Sequence, residues 1–235
     1  TVTTGHQLNI FAGPLFLIYK ILSVISYTNY LNQNINQYQF VPCFWMATED
    51  HDLHEINNLK LYNKTYSSNL ELKNCVGDLL SKPILKTLVT IKKLLNTSEY
   101  GEELYNIYEY AYKENLNYAN ATRSLLTTLF GDYGLVVIDG NNTHLKRIFI
   151  PDFEAELKDK FVYNNLLKSN KIIKQKYKPE INPMKSNIFY FTGSNRLKIQ
   201  YDNKLYFLNG FDKEWSPDKL FDEINNYPNR FSPNV

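Results

Sequence analysis

The sequence predicts an α/β fold, a Rossmann-like parallel sheet with a helical connecting insertion and a small antiparallel β-meander, and three observations carry that prediction. Two short apolar runs, 39–47 and 134–139, are closed by charged or turn-forming residues, as strands buried on both faces are. Residues 15–34 form a long apolar-rich stretch without Gly or Pro. Residues 83–130 then shift to apolar positions spaced three and four apart.

Taken in order, residues 1–4 are β-branched and strand-prone, and they run into Gly5-His6-Gln7. Gly13-Pro14 opens the first helix, because proline tolerates the first turn, where its missing N–H has no partner to lose. With the run 39–47 these make a strand–loop–helix–strand unit, the start of a parallel sheet. Leu85, Leu88, Ile91, Leu94 and Leu95, then Leu104, Ile107, Tyr108 and Ala111, mark helices, with Thr97-Ser98 read as a cap and Glu102 and Glu103 in the next first turn. The run 134–139 is a third strand, ending in the turn signal Asp139-Gly-Asn-Asn. Helices are expected over 143–167, and a meander over about 186–210 with a turn at Asp202-Asn203. The whole of 1–235 reads as one incomplete Rossmann-like core, with the insertion at about 83–130.

Composition excludes several classes. A net charge of +2 gives no reason to expect nucleic acid or an acidic membrane surface as a partner. No apolar stretch approaches the roughly 18 residues of a membrane span. A soluble, cytoplasmic protein is expected. Cys43 and Cys75 belong to no CxxC pair and no zinc-spaced cluster, so they read as reduced structural thiols, and zinc is not expected.

Two segments could carry chemistry. In the first, Thr4, Gly5, His6 and Gln7 lie at the end of the first strand, a favoured ligand position in parallel sheets. The helix start at Gly13-Pro14 offers free N–H groups and a dipole to an anion such as phosphate. Spacing alone favours a plain turn, since neither GxGxxG nor GxxxxGK[ST] is present. Lys20, about two helical turns on, reaches back towards this loop only in part. The second segment is Thr48-Glu49-Asp50-His51-Asp52, directly after the buried run that ends Phe44-Trp45-Met46-Ala47. Four ionisable groups at the end of a buried strand are costly unless solvated, paired or functional. They could hold a substrate ammonium, bind magnesium or supply a general base. Asp139, at the tip of the third strand, could line the same cleft, although an Asp-Gly turn explains it nearly as well.

These residues bring a resemblance. TTGHQLNIFAGPLFLIYK is similar to the TGQQ-x-GLF-x-GPLY-x-x-YK signature of the bacillithiol-biosynthesis cysteine-adding enzymes, the cysteine ligase family of that pathway. VPCFWMATEDHDLHEIN resembles their PVFW-x-A-x-EDHDF-x-E-x-N segment. FGDYGLVVIDGNNTHLKR, NPMKSNIFYF and RFSPNV resemble later segments in the same order. His6 departs from the pattern, standing where glutamine is common. The resemblance implies a core related to class I aminoacyl-tRNA synthetases and nucleotidyl transferases. It implies L-cysteine and glucosaminyl-malate as substrates, ATP with magnesium as the activating agent, and a longer homodimeric protein with a C-terminal coiled coil and residues before this start. It also places Tyr19, Lys20, Ser232 and Asn234 in matching segments, as candidate binding residues. The alternatives are another ATP-dependent ligase or nucleotidyl transferase on the same core, or an inactive truncated product.

Overall fold

The computed structural model describes residues 1–72, 74–114, 117–193 and 195–233. It separates into two compact units, Thr1–Gly140 and Asn141–Val235.

In the first unit β1 (Val2–His6) leads through a short loop to α1 (Leu15–Asn34), a helix of 20 residues capped by Pro14. The side chain of Asn32 then grips Phe40, accepting from its amide at 2.7 Å and donating to its carbonyl at 3.0 Å, which fixes the return into β2 (Pro42–Met46). A short α2 (Leu53–Ile56) and a hairpin, β3 (Asn58–Leu61) with β4 (Lys64–Ser67), precede three helices. These are α3 (Lys82–Leu95), α4 (Gly101–Glu114) and α5 (Tyr118–Phe130), and β5 (Val136–Asp139) follows. The sheet runs β1-β2-β5 with both pairings parallel, as a helical crossover from strand to strand requires. Register places Gly5 beside Trp45 and Trp45 beside Ile138, so these positions share one face. Phe44 and Met46 point the other way, into a core with Leu17, Ile21, Leu88 and Tyr112. Each such fully buried side chain contributes on the order of 1.5–3 kcal/mol.

Three expectations need correction. The second strand is not buried on both faces: Trp45 is 38% exposed, while its neighbours Phe44 and Met46 are fully buried. The third strand is likewise half open, with Val136 exposed, because only its alternate positions meet the core. Thr97 and Ser98 do not cap the helix that follows. Their hydroxyls donate backwards to the carbonyls of Leu94 and Leu95 at 2.6 and 2.9 Å, closing α3 instead.

The loop after β1 is not an open turn either. Leu8, Ile10, Phe11 and Ala12 are buried in the core of this unit. Phe11 and Ala12 adopt left-handed backbones, with φ of 58° and 54°. That conformation costs an L-residue roughly 1–2 kcal/mol. Two tyrosines of α4 offset it. The Phe11 amide donates to the Tyr112 hydroxyl at 2.9 Å, the Tyr108 hydroxyl donates to the Phe11 carbonyl at 3.1 Å, and both rings pack on the phenylalanine.

The second unit opens with α6 (Thr143–Ile148), α7 (Ile150–Asp159) and α8 (Phe161–Ile173). Strands β6 (Ile188–Thr192), β7 (Asn195–Asp202), β8 (Leu205–Leu208) and β9 (Glu214–Trp215) come next, then α9 (Pro217–Asn226) and β10 (Phe231–Pro233). The antiparallel sheet has the order β10-β6-β7-β8-β9. The turn between β7 and β8 centres on Asn203 and Lys204, one residue later than expected. Both have positive φ, as a tight two-residue hairpin requires. Phe153, Tyr190, Trp215, Leu220 and Phe231 form a separate core. Among the described residues, no helix is long and apolar enough to cross a membrane.

Candidate active site

Because β1 and β2 are parallel neighbours, the loops leaving them emerge at the same rim. Gln7, the residue after β1, donates its side-chain amide to Asp50 Oδ2. Asp50 Oδ1 also accepts the His51 amide at 2.7 Å. The two segments singled out in the sequence therefore touch, and they do so at the carboxyl ends of parallel strands, where open α/β sheets bind ligands.

The acidic loop is held from a third side that the sequence does not advertise. The amide of Val76 donates to the Asp50 carbonyl at 2.8 Å, and that of Gly77 to the Thr48 carbonyl at 2.9 Å. Residue 77 has to be glycine: a β-carbon there would lie 2.8 Å from Thr48 Cβ. Thr48, completely buried, donates its hydroxyl to Asp139 Oδ1. Arg123 of α5 reaches Asp139 Oδ2 at 3.4 Å, so Asp139 is engaged from two sides. Glu49 is buried, and both ring nitrogens of His51 are shielded from solvent. Asp52 has a local task as well, since its carboxylate caps α2 by accepting the Glu55 amide at 3.1 Å.

On the other side of the corner Lys20 reaches further than expected, because α1 runs back along β1. Its ammonium donates to the Gly5 carbonyl and lies 5.5 Å from the centre of the Phe16 ring. His6 meets the same ring edge-on at 6.1 Å. Burial first, and then the charge of Lys20, lower the His6 pKa below its ordinary 6.5, which leaves a neutral imidazole at pH 7. Its Nε2 is shielded and has no hydrogen-bond partner among the described residues. Thr4 is half-buried in β1, opposite Phe44. Gly13 and Pro14 do sit at the start of α1, where Leu15, Phe16 and then Tyr19 are exposed. Trp45 lies across the rim, with Gly5 and Gly140 beside it.

Ser232 belongs to the second unit. It is completely buried, and its hydroxyl accepts from Arg196 at 3.0 Å. Asn234 lies outside the described residues. Among the described residues, no three His, Cys, Asp or Glu side chains gather as a metal site would. Cys43 and Cys75 are free and buried, and burial, reinforced by Asp78, pushes the Cys75 thiol up to about 12. A surface cleft lined by Tyr66, Asn69, Lys86 and Thr90 includes none of the residues named from the sequence.

The family model for the bacillithiol biosynthesis BshC N-terminal Rossmann-like domain matches residues 1–235. The chain belongs to the BshC family. A Flavobacterium johnsoniae protein named "Putative cysteine ligase BshC" is 39% identical over 235 residues, covering all of this chain and 44% of that relative. Proteins of the same name from Cytophaga hutchinsonii and Staphylococcus aureus are 34% and 27% identical, again over the whole chain. This BshC-family chain thus spans about 44% of the length of the first two relatives. Two of its motif segments, 3–20 and 41–57, meet at the rim through Gln7 and Asp50.

Proposed function

We propose that this chain supplies the catalytic part of a ligase that joins L-cysteine to glucosaminyl-malate, the last step of bacillithiol synthesis. The observation that carries this reading is the hydrogen bond from Gln7 to Asp50. It sets a corner of neutral donors against a carboxylate-rich loop at one rim of a parallel sheet. The names of the relatives supply the cysteine ligase class.

In this reading ATP supplies the leaving group that makes the cysteine carboxylate reactive towards an amine. Gly5, His6, Gln7 and the helix start at Gly13-Pro14 contact nucleotide phosphate or substrate carboxylate. The ammonium of Lys20, already at the Gly5 carbonyl, brings a positive charge to the same corner. His6 is neutral, so it acts there by hydrogen bonding through Nε2, which has no partner among the described residues, and not as a cation. Fixed donors of this kind stabilise charge as it develops without having to reorganise. Glu49, Asp50, His51 and Asp52 bind the cysteine ammonium or take the proton from the attacking amine. A magnesium ion fits this carboxylate-bearing loop only if phosphate oxygens complete its shell, the usual arrangement for that ion. Selection of the thiol falls to pocket shape and to histidine and carboxylate contacts, with no zinc involved. The helices between β4 and β5 are read as the connecting insertion, and the complete protein as a cytoplasmic homodimer.

Asp50→Asn and His51→Ala, made in the complete protein, are expected to lower cysteine-dependent pyrophosphate release about 100-fold or more. They should also abolish bacillithiol in cells. Thiol production unchanged in both variants sinks the reading.

A further inference from the structure

Trp45 presents an arrangement that packing alone does not require. It stands on the sheet face opposite the core residues Phe44 and Met46, and 38% of it remains exposed. Glycine occupies both flanks. A β-carbon at Gly5, its partner on β1, would lie 3.2 Å from the Trp45 carbonyl and 3.4 Å from its own β-carbon. A β-carbon at Gly140, just past β5, would lie 3.0 Å from two indole atoms, Cζ2 and Nε1. The indole therefore rests against bare backbone. Glycine in or beside a strand weakens it and marks a place where a ligand or another backbone approaches closely.

From this we infer that Trp45 is the platform on which the hexose ring of the amino-sugar substrate packs. The inference rests on the ligase reading above and names the residue that recognises one of its two organic substrates. The indole face is broad, rigid and electron-rich, suited to the C–H groups on one face of a pyranose. It lies at the rim where the acidic loop begins, and its own strand and the neighbouring β5 both lead to carboxylates. Glu49 and Asp50 follow β2, and Asp139 closes β5. That surround suits the ammonium group of an amino sugar whose ring lies on the indole.

The chain's own fluorescence makes the test direct. Residues 1–235 hold two tryptophans, and the other, Trp215, is buried in the second unit, so Trp215→Phe, with phenylalanine also at any tryptophan outside these residues, leaves Trp45 as the reporter. Titration of that complete protein with glucosaminyl-malate is expected to shift its emission to saturation. Calorimetric titration of Trp45→Leu should show an affinity weaker by about tenfold, with Trp45→Phe between the two. Circular dichroism of each variant checks that it folds. The inference is overturned if Trp45→Leu, folded, binds glucosaminyl-malate as well as the parent does. It is equally overturned if glucosaminyl-malate produces neither emission change nor heat. Saturable binding lost in Trp45→Leu, in a protein that adds no cysteine to the bound sugar, would uphold the platform and sink the ligase reading instead.

Discussion

His6 sits under two influences of the same sign, burial and the ammonium of Lys20, and both hold its imidazole neutral. Lys20→Met removes only the lesser cause. The His6 midpoint, followed by NMR titration, should therefore rise towards 6.5 without reaching it. The sign of the effect on stability follows. The unfolded chain takes up this proton more readily than the folded one. The contribution of a neutral His6 is thus complete above pH 6.5 and is lost as pH falls through the lowered folded value. A His6 midpoint that Lys20→Met leaves unmoved would show that the two side chains do not interact. His6, Gln7 and Asp50 are legible in the sequence because each follows a recognisable strand, and chain order alone brings parallel strand ends together. Arg123 is not. Arg123 reads as an ordinary helical arginine, and nothing local reveals that its partner is Asp139, 16 residues on.

Among the elements, the segment around Val76 and Gly77 shows most plainly what periodicity misses. It is too short and too irregular to leave a pattern, and its hold on the acidic loop lies in two backbone hydrogen bonds. Gly77→Ala forces Thr48 away, at a cost to stability of roughly 1–3 kcal/mol. The larger expected consequence is on chemistry. With Thr48 displaced, Asp50 loses its position relative to Gln7, so kcat should fall further than the drop in Tm implies, while Gly77→Ser fares no better. Steady-state kinetics beside thermal melts decide this, and a melt shift with unchanged kcat would reduce Gly77 to packing. The β3–β4 hairpin was also illegible. Each strand is only four residues long, too short for the alternation of β3 to stand out, and the turn depends on positive φ at Tyr62 and Asn63, of which only asparagine is a turn former. By contrast β1, α1, β2 and β5 stand out because apolar runs there are bracketed by Gly, Pro or charge.

At the scale of the whole molecule, the two cores are sewn differently, one mainly by aliphatic and aromatic packing and the other partly by a charged polar knot. In the second unit Glu223 accepts from the Tyr190 hydroxyl and the Trp215 indole, each at 2.5 Å, and from Lys213 at 2.9 Å. Burial would raise its pKa, but those hydrogen bonds and the charge of Lys213 outweigh it and hold the carboxyl at about 2. A lowered carboxyl pKa adds stability that is complete above the ordinary value of 4.5 and drains away as pH falls towards about 2. Acid melts followed at Trp215 should therefore weaken across that window, and Glu223→Gln should flatten the dependence. An identical acid profile for Glu223→Gln would dismiss the knot as a contributor. None of this was visible in the sequence, where Glu223 is one acidic residue in an amphipathic helix.

The bend at Phe11 bears on how substrates come and go. Its amide and its carbonyl are both spoken for by tyrosines of α4, and its ring is wedged between theirs. A segment so moored cannot swing aside as a gate without first dislodging a helix some hundred residues away in the chain. Any movement that admits a ligand at this edge must therefore be hinged elsewhere, with the bend as a fixed jamb.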